Sequence, residues 1–483
     1  MKVSEVVSVA IGLSVTPASQ AGFTVPILMV DHADVPVDRR YRQVTRPSYA
    51  TDLTAATEQV GWCGALWGQE YNPAQAYIGR WVGTATSPQF ICSTANATVA
   101  TWKLIADGSC TVTAAAGADI LTALDFTSVT SLADVAVVFN LKLIAGGVSK
   151  ATCFVDALDR IVLTDLTITG AGSETVVITA SGEGTDVTNA TYLDIANGFA
   201  QGGLAVESLD TSLGEVLALD NTPYLVTQRG GSIVDVVAFA TAASSRPKFL
   251  MLVDDDADAK DSAATSDFGY QIEALGYNKC QMCYTEHTVN NGAAATQYPD
   301  AAAIGQILTQ PDKEGGISLA LNKMTGLSES GLAADNVTVK PLTTTEITAL
   351  KAKGYDFLVD PAGQVHLTTG LCAGGNEARV MIGKEFMGTK ISEGIYAYLL
   401  ANDVVTYSDG DLLAIKSIVS YWANEMSKRG LLDSTTFDFS NFPTASDFTA
   451  AAKATHTMTL SDIFSADVFS SVNDVVMTLS FSV

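Results

Sequence analysis

The stretch Tyr224–Val253, YLVTQRGGSIVDVVAFATAASSRPKFLMLV, holds the pattern that decides the fold. It opens with a short apolar run, Tyr224–Thr227, which predicts a buried strand. A serine and an aspartate at capping-box spacing come next and predict a helix over Ser232–Ser244. Lys248–Val253 is a second apolar strand. A strand, a helix and another strand in succession predict an α/β core.

The same alternation continues outward in both directions along the chain. Further strands are predicted at Phe23–Val30, Tyr77–Val82, Lys279–Tyr284, Tyr355–Val359 and Gln364–Thr368. Further helices are predicted at Asp52–Val60, Ser208–Ala218, Pro299–Leu308 and Thr344–Lys353, with Gly354 as the residue that ends the last of these. The longest helical region, Arg379–Arg429, is expected to break at Ser408–Gly410, and a linker with a weak helix is expected at Asn441–Ala454.

Between Gly83 and Gly198 the sequence changes character and becomes rich in Thr, Ser and Gly. One helix is predicted from a capping box at Ser131 to about Leu143. The predicted strands are Ala100–Ala106, Ser109–Ala114, Thr152–Val155, Arg160–Thr169 and Thr175–Ala180. We interpret this segment as an inserted β-rich domain.

The composition narrows the classes of function. Charged residues make up only 16% of the 483 residues, against an average of about 25%. A sparsely charged surface suits a protein that is covered by its neighbours, and it also suits a secreted surface protein. The net charge of -25, with no basic patch beyond Arg39, Arg40 and Arg42, argues against direct nucleic-acid binding. The seven irregularly spaced cysteines predict buried thiols in a reducing compartment.

Both chain ends carry a strict alternation of apolar and small or polar residues, which is typical of a half-buried strand. Such ends usually fray unless another element holds them. They belong to their own sheet or are added as strands to a neighbouring subunit, and we favour the second interpretation. The residues predicted to exchange between subunits are Val7, Val9, Ile11, Leu13 and Val15 at one end and Val475, Met477, Leu479, Phe481 and Val483 at the other.

The N-terminus also invites interpretation as a signal peptide, because no charge occurs between Val6 and Val30. Glu5 and the strict alternation argue against it. A membrane span is disfavoured because Pro17, Ser19 and Gln20 interrupt the run before about 20 apolar residues accumulate. The predicted fold is therefore α+β and multidomain, with a mixed α/β core, an inserted β-rich domain and terminal exchange strands. The predicted divisions are 1–20 (N-terminal arm), 21–82 (core), 83–200 (the insert, placed on the outside), 201–454 (core) and 455–483 (C-terminal arm).

Two constellations could carry metal chemistry. Asp254, Asp255, Asp256 and Asp258 follow an apolar strand, where carboxylates can bind Mg²⁺ or Ca²⁺, but the spacing of a calcium loop is missing, so an acidic surface loop is the preferred interpretation. Cys280 and Cys283, followed by His287, form half of a zinc site at most. Buried structural cysteines are preferred there.

No catalytic set converges in the sequence. The four histidines are scattered, and neither a nucleophile elbow nor a phosphate-binding loop occurs. We predict that the chain is not an enzyme and needs no cofactor. A metal-dependent enzyme using Asp254, Asp256 and His287 stays open as an alternative.

Several local patterns, in order, resemble the sheath proteins of contractile phage tails. The opening alternation followed by Ala21-Gly22-Phe23 is similar to the family's first strand and turn. Ala65–Gln69 with Pro73 and Ile78-Gly79-Arg80, Glu207-Ser208 with Tyr224, and Ala349–Gly354 with Tyr355, Gly363, Gly370 and Ala373-Gly374 resemble later segments. Arg379–Leu400 and Asp411–Leu432 resemble the paired helices. The chain departs from the family at Pro223, and at Phe386 or Tyr396, where tryptophan is common.

This resemblance implies a structural subunit of the virion tail sheath, assembled in the host cytoplasm. Such subunits stack as hexameric rings around a tail tube and exchange terminal strands. The stack then contracts to drive the tube through the host envelope for genome ejection. Implied partners are other copies, the tail tube protein, and baseplate and neck or terminator proteins, without direct nucleic-acid contact or stable membrane insertion. Two alternatives stay open: a secreted β-rich adhesin, and the sheath of a bacteriocin or secretion machine.

Overall fold

The computed structural model describes residues 22–32, 35–36, 38–53, 57–93, 98–147, 149–156, 158–170, 176–286, 296–308, 322–331, 339–361, 363–402, 405–449, 460 and 463–468. The strands are β1 (Gly22–Val30), β2 (Tyr41–Thr45), β3 (Gln75–Arg80), β4 (Gln89–Ile91), β5 (Gly108–Ala114), β6 (Gly117–Leu124), β7 (Ala151–Val155), β8 (Ile161–Asp165), β9 (Val177–Thr179), β10 (Thr185–Asp186), β11 (Phe199–Gln201), β12 (Pro223–Gln228), β13 (Phe249–Asp254), β14 (Cys280–Tyr284), β15 (Tyr355–Val359) and β16 (His366–Leu367). The helices are α1 (Tyr49–Asp52), α2 (Glu58–Trp67), α3 (Val99–Trp102), α4 (Leu132–Gly146), α5 (Leu209–Leu219), α6 (Ile233–Ser244), α7 (Phe268–Leu275), α8 (Pro299–Leu308), α9 (Thr344–Ala352), α10 (Ala378–Ala401) and α11 (Asp409–Lys428).

An eight-stranded sheet organises the described residues in the order β16-β15-β14-β13-β12-β1-β3-β2. The six inner strands run parallel, and β2 and β16 pair antiparallel at the two edges. At the centre, Ile27 of β1 pairs with Val226 on one side and with Tyr77 on the other. The mixed α/β character predicted from the sequence is therefore confirmed.

Helices cover both faces of this sheet because its strands are apolar on both faces. Leu28 and Leu225 face one hydrophobic cluster, to which α2 and α8 contribute Trp62 and Ile304. Alternate strand residues face a second cluster, to which α5, α6 and α7 contribute. The core therefore has three layers, with the sheet in the middle.

The insert forms two smaller sheets around one further cluster. One contains β10, β5, β6 and β9; the other has the order β11-β4-β8-β7. Helix α4 begins at the predicted capping box and buries Phe139 in this cluster beside Trp102 and Phe126. Among the described residues, the buried members of this cluster and the residues packed against them all lie between 90 and 195.

Three local predictions for the insert are wrong or incomplete. The segment Ala100–Ala106 is not a strand, because the chain turns through α3 and buries Trp102 against Phe126 at 4.8 Å between ring centres. Strand β6 was not predicted, because Asp119 interrupts its apolar alternation. That carboxylate is buried and accepts hydrogen bonds from the backbone N–H and hydroxyl of Ser149. The predicted strand Arg160–Thr169 ends at Asp165, whose side chain holds a turn at residue 167.

Elsewhere the predicted elements are present with shifted ends, whereas β2, β4, β10, β11 and α7 were not predicted. The helix expected at Asp52–Val60 is instead divided, because Leu53 is extended after α1, and α2 begins at Glu58. The break in the long helical region comes earlier than expected, because α10 ends at Ala401 and Ser408 already caps α11. Where the structure describes the linker, up to residue 449, the expected weak helix is replaced by one 3-10 turn, Ala445–Asp447. Among the described residues, no helix combines the length and apolar character needed to span a bilayer.

Candidate assembly site

The predicted exchange residues lie outside the described part of the chain at both ends, Val7 to Val15 and Val475 to Val483. What the structure provides is the two points at which these segments join the folded protein. Both points are held by specific contacts.

The N-terminal segment joins at the start of β1, in the middle of the large sheet. The Phe23 ring lies 4.3 Å from that of Tyr224 on β12 and 5.3 Å from that of Phe386 on α10. The Tyr224 hydroxyl donates to Glu385 on α10 at 2.7 Å, and Glu385 also pairs with Lys279. The first described residues are thereby fixed to the sheet and to the long helix.

The C-terminal segment leaves from a short antiparallel pairing. The backbones of Asp438 and Ser465 exchange two hydrogen bonds, of 2.9 and 3.1 Å, and the N–H of Asp433 donates to the carbonyl of Asp467 at 2.9 Å. Beside this pairing, the buried ring of Phe464 packs between those of Phe437 and Phe439, at 5.4 and 4.9 Å between ring centres. The chain is therefore already extended and paired where its last described residues end.

Both points of attachment lie on one hydrophobic cluster, formed by α10 and α11. Ile463 and Phe464 are buried within this cluster, and Phe23 packs against it from the sheet side. The two helices approach closely at Gly394, where an added Cβ would lie 2.7 Å from Cγ2 of Ile418. Both points of attachment thus lie at the same helix pair, and we call this cluster with its two points of attachment the candidate assembly site.

The carboxylates considered as a metal site are used within the fold. Asp254 is buried rather than part of a surface loop, so that interpretation is wrong for this residue. It accepts the N–H of Asp256 at 3.0 Å and the hydroxyl of Tyr355, which also lies 3.1 Å from Asp267. Burial raises the pKa of Asp254 to about 7.

No group of three or more potential metal ligands of the His, Cys, Asp or Glu type occurs among the described residues. Asp256 caps the following turn by accepting the N–H of Asp258 at 2.9 Å. His287 lies outside the described residues. Cys280 and Cys283 lie in β14 with their thiols buried, and burial raises the pKa of both. None of the seven cysteines forms a disulfide and all seven are buried, in line with the prediction that most of them are buried thiols.

The main sheet reverses its strand order between β1 and β12, and open α/β sheets commonly bind ligands at such a point. Here the chain itself occupies it. Trp81 packs beside Gly230, and its Nε1 donates to the carbonyl of Glu207 at 2.9 Å. The N-terminus of α6 is capped by Ser232 and Asp235, whose side chains accept the N–H groups of residues 235 and 232.

A buried ion pair near the same strand end was not predicted. Asp300, at the start of α8, is fully buried and lies 2.5 Å from the guanidinium of Arg229. It also accepts hydrogen bonds from Trp62 Nε1 at 3.0 Å and from the Thr227 hydroxyl at 2.6 Å. Because its partners are remote in the sequence, no local pattern reveals this role. The pair ties α2 and α8 to β12.

The basic cluster noted in the sequence consists of structural ion pairs. Arg40 binds both oxygens of Glu207 at 2.8 Å, and Arg42 lies 3.5 Å from Asp52. Arg160 of the insert pairs with both oxygens of Asp38 at 2.8 and 3.0 Å. The bidentate contact of Arg160 with Asp38 ties the insert to the edge of the main sheet. Arg39 is less constrained, because its side chain is 62% exposed and lies 3.6 Å from Asp38.

A scan against models of protein families finds no match for this chain, and a search of curated proteins finds none either.

Proposed function

We propose that the chain is the structural subunit of a contractile phage tail sheath, which polymerises by exchanging its terminal strands. The observation that carries the proposal is the common origin of both terminal segments on the α10–α11 cluster. Each segment has the sequence alternation of a half-buried strand, and the nearest described residues on each side, Phe23 and Val468, are partly buried against this cluster. A segment with an apolar face and an anchored root is suited to adding a strand to a neighbouring copy.

The antiparallel pairing beside α11 supports this proposal physically. Residues 432–438 and 465–468 already form the start of a small sheet, with bridges at Leu432–Val468 and Asp438–Ser465. A strand arriving from another copy would extend it. Each added backbone hydrogen bond contributes about 1 kcal/mol net, and the apolar face adds its burial.

The packing of the remaining chain suits a body that moves as a unit. Helices cover both faces of the large sheet, and buried ion pairs connect distant segments. Contraction requires rigid subunits that repack against each other while their connections persist. Under this proposal the terminal strands are those connections.

The remaining parts of the proposal follow from the sheath assignment. The subunits form hexameric rings stacked around the tail tube, with baseplate and neck or terminator proteins at the two ends. Assembly takes place in the host cytoplasm, and the finished sheath belongs to the virion. The net charge of -25 keeps free copies apart until their strands engage.

Negative-stain electron microscopy of the concentrated protein, alone and with purified tail tube, tests the proposal. We expect hollow, transversely striated cylinders. A protein that stays monomeric under both conditions contradicts the sheath assignment. N-terminal sequencing of the native protein separates the adhesin alternative, because a mature chain that starts near Gly22 would have lost the first strand.

A further inference from the structure

The outer face of α4 in the insert is apolar from Val137 to Ile144. Val137, Leu141 and Ile144 are 53%, 64% and 79% exposed. Their spacing of four and three residues places them on one side of the helix, opposite the buried Phe139. Solvent-facing helices normally carry charged residues on that side. We call these three residues the α4 stripe.

The small sheet beneath α4 has a second uncharged surface. In the register of β9, β5 and β6, one row of outward side chains is Thr179–Thr111–Ile120 and the next is Val177–Thr113–Ala118. Ile120 is 64% exposed and Val177 43%. None of these six residues is charged. We call them the outer β face.

The two surfaces point in opposite directions. The inward residues of α4 and the inward residues of β5 and β6, such as Val112 and Leu121, belong to one hydrophobic cluster. Since strand side chains alternate between faces, the outer β face lies on the far side of the sheet from α4. A unit with two different adhesive surfaces on opposite sides can associate head to tail, which is how rings and helical stacks form.

The two surfaces also match in size. From Val137 to Ile144 the helix rises about 10 Å. The two outer strands of a three-stranded set lie about 10 Å apart. A helix packed across such a face is a common arrangement of protein layers.

We propose that the insert forms a second contact between copies of this chain, in which the α4 stripe of one copy packs on the outer β face of the next. The inference rests on the proposed function, because strand exchange is what holds the copies side by side. The stripe exposes on the order of 300 Å², well below the roughly 800 Å² per partner that a stable interface buries. The contact therefore forms within the polymer and does not hold free subunits together.

Charge supports another copy as the occupant. Acidic residues outnumber basic ones by 52 to 27, so copies repel each other over most of their surface. Neutral surfaces are where two copies approach at the lowest cost. A contact between the α4 stripe of one copy and the outer β face of the next is uncharged on both sides, so it needs no basic partner.

Cross-linking tests the geometry. All seven native cysteines are buried, so Leu141→Cys and Ile120→Cys introduce the accessible thiols. Assembled protein carrying both substitutions, treated with a short bis-maleimide, is expected to give a ladder of covalent oligomers on a denaturing gel. Either single variant, assembled and treated in the same way, is expected to run as a monomer on the gel. Covalent dimers from Leu141→Cys alone indicate a contact between two α4 stripes and overturn the proposal.

Charge substitution tests the energetics. Leu141→Lys and Ile120→Glu are each expected to raise the critical concentration for assembly roughly tenfold, and the double variant is expected to restore it. Val234→Lys, at a 75% exposed position on α6, is the matched control and is expected to assemble normally. Unchanged assembly of both single variants overturns the inference and leaves strand exchange intact. Failure of the unaltered protein to assemble removes the proposed function together with this inference.

Discussion

Asp254 shows how a residue that looks like a surface ligand becomes part of the core. It ends β13, and its carboxylate meets the hydroxyl of Tyr355 from β15. Asp267 and Lys353 complete the network, joined by a hydrogen bond of 2.6 Å. The four side chains connect the sheet with the start of α7 and the end of α9.

Asp254→Asn is expected to make stability less dependent on pH. Burial raises the pKa of Asp254 to about 7, above the value of about 4 for an unfolded aspartate. Between these values the folded protein holds a proton that the unfolded chain releases, so the free energy of unfolding falls as pH rises. Between pH 4 and pH 7 the free energy of unfolding of the variant should therefore rise relative to that of the wild type, by on the order of a few kcal/mol. Urea unfolding at several pH values measures this.

Asp134→Asn serves as a control, because the stability that depends on Asp134 changes with pH in the opposite direction. Hydrogen bonds from Thr130 and Ser131 lower the pKa of Asp134 to about 2. The stability that this carboxylate adds is present above pH 4 and is lost as pH falls toward 2. Parallel pH profiles for the wild type and Asp254→Asn would contradict the account of Asp254.

Asp300→Asn is expected to destabilise the protein strongly. The substitution leaves the guanidinium of Arg229 without its fully buried counter-charge. Breaking one partner of a buried pair typically costs about 3–5 kcal/mol. Denaturant unfolding measures the loss, and Glu215→Gln at an exposed position should stay within about 0.5 kcal/mol of the wild type. A loss below 1 kcal/mol for Asp300→Asn would show that the pair contributes little.

At the scale of single residues, the sequence reveals partners that are near in the chain and hides those that are remote. The capping boxes at Ser131 and Ser232 were predicted because their partners lie three residues away. The partner of Asp254 is 101 residues away and that of Asp300 is 71. No local period connects such residues, so the networks become visible only in the fold.

At the scale of elements, two glycines of α10 test the packing of the helix pair. Gly394→Ala places a Cβ 2.7 Å from Cγ2 of Ile418, a β-branched side chain with little freedom to move. We expect a loss of about 1–3 kcal/mol. Gly388→Ala meets no atom within 4 Å among the described residues and should stabilise the helix by up to about 1 kcal/mol. Thermal unfolding of the two variants in parallel measures the contrast, and equal shifts would contradict the close approach at Gly394.

Predicted elements are most accurate where burial is complete. Strands β12 to β15 were placed within a residue or two, because both of their faces are apolar. Helix α8 was placed at its observed bounds. Strand β2 at the edge of the sheet was missed because its sequence lacks an apolar alternation. An edge strand does not need one, and β2 contains Arg42 and Gln43. The helix α7 was also missed, although Asp267 caps it.

At the scale of the whole molecule, the sequence predicted the mixed α/β core and the β-rich character of the insert. It did not predict the order of strands in the sheet or the contacts between the insert and the core. Strand order depends on which apolar runs meet after the chain folds, and that is a property of long-range packing. The common origin of the terminal segments likewise appears only when α10 and α11 are assembled around Phe23 and Phe464.

Removal of the terminal strands is expected to abolish assembly and spare the fold. Deleting residues 3–15 or 475–483 takes away segments that lie beyond the described core. Each shortened protein should keep its circular dichroism spectrum and melting temperature. A deletion of the same length in the insert should not spare the fold, because it removes part of a hydrophobic cluster.

Sedimentation of the full chain and of both shortened proteins at matched concentrations tests strand exchange most directly. We expect the full chain to pellet as polymer, while each shortened protein stays in the supernatant as a folded monomer. Polymers that form equally well from either shortened protein would contradict it.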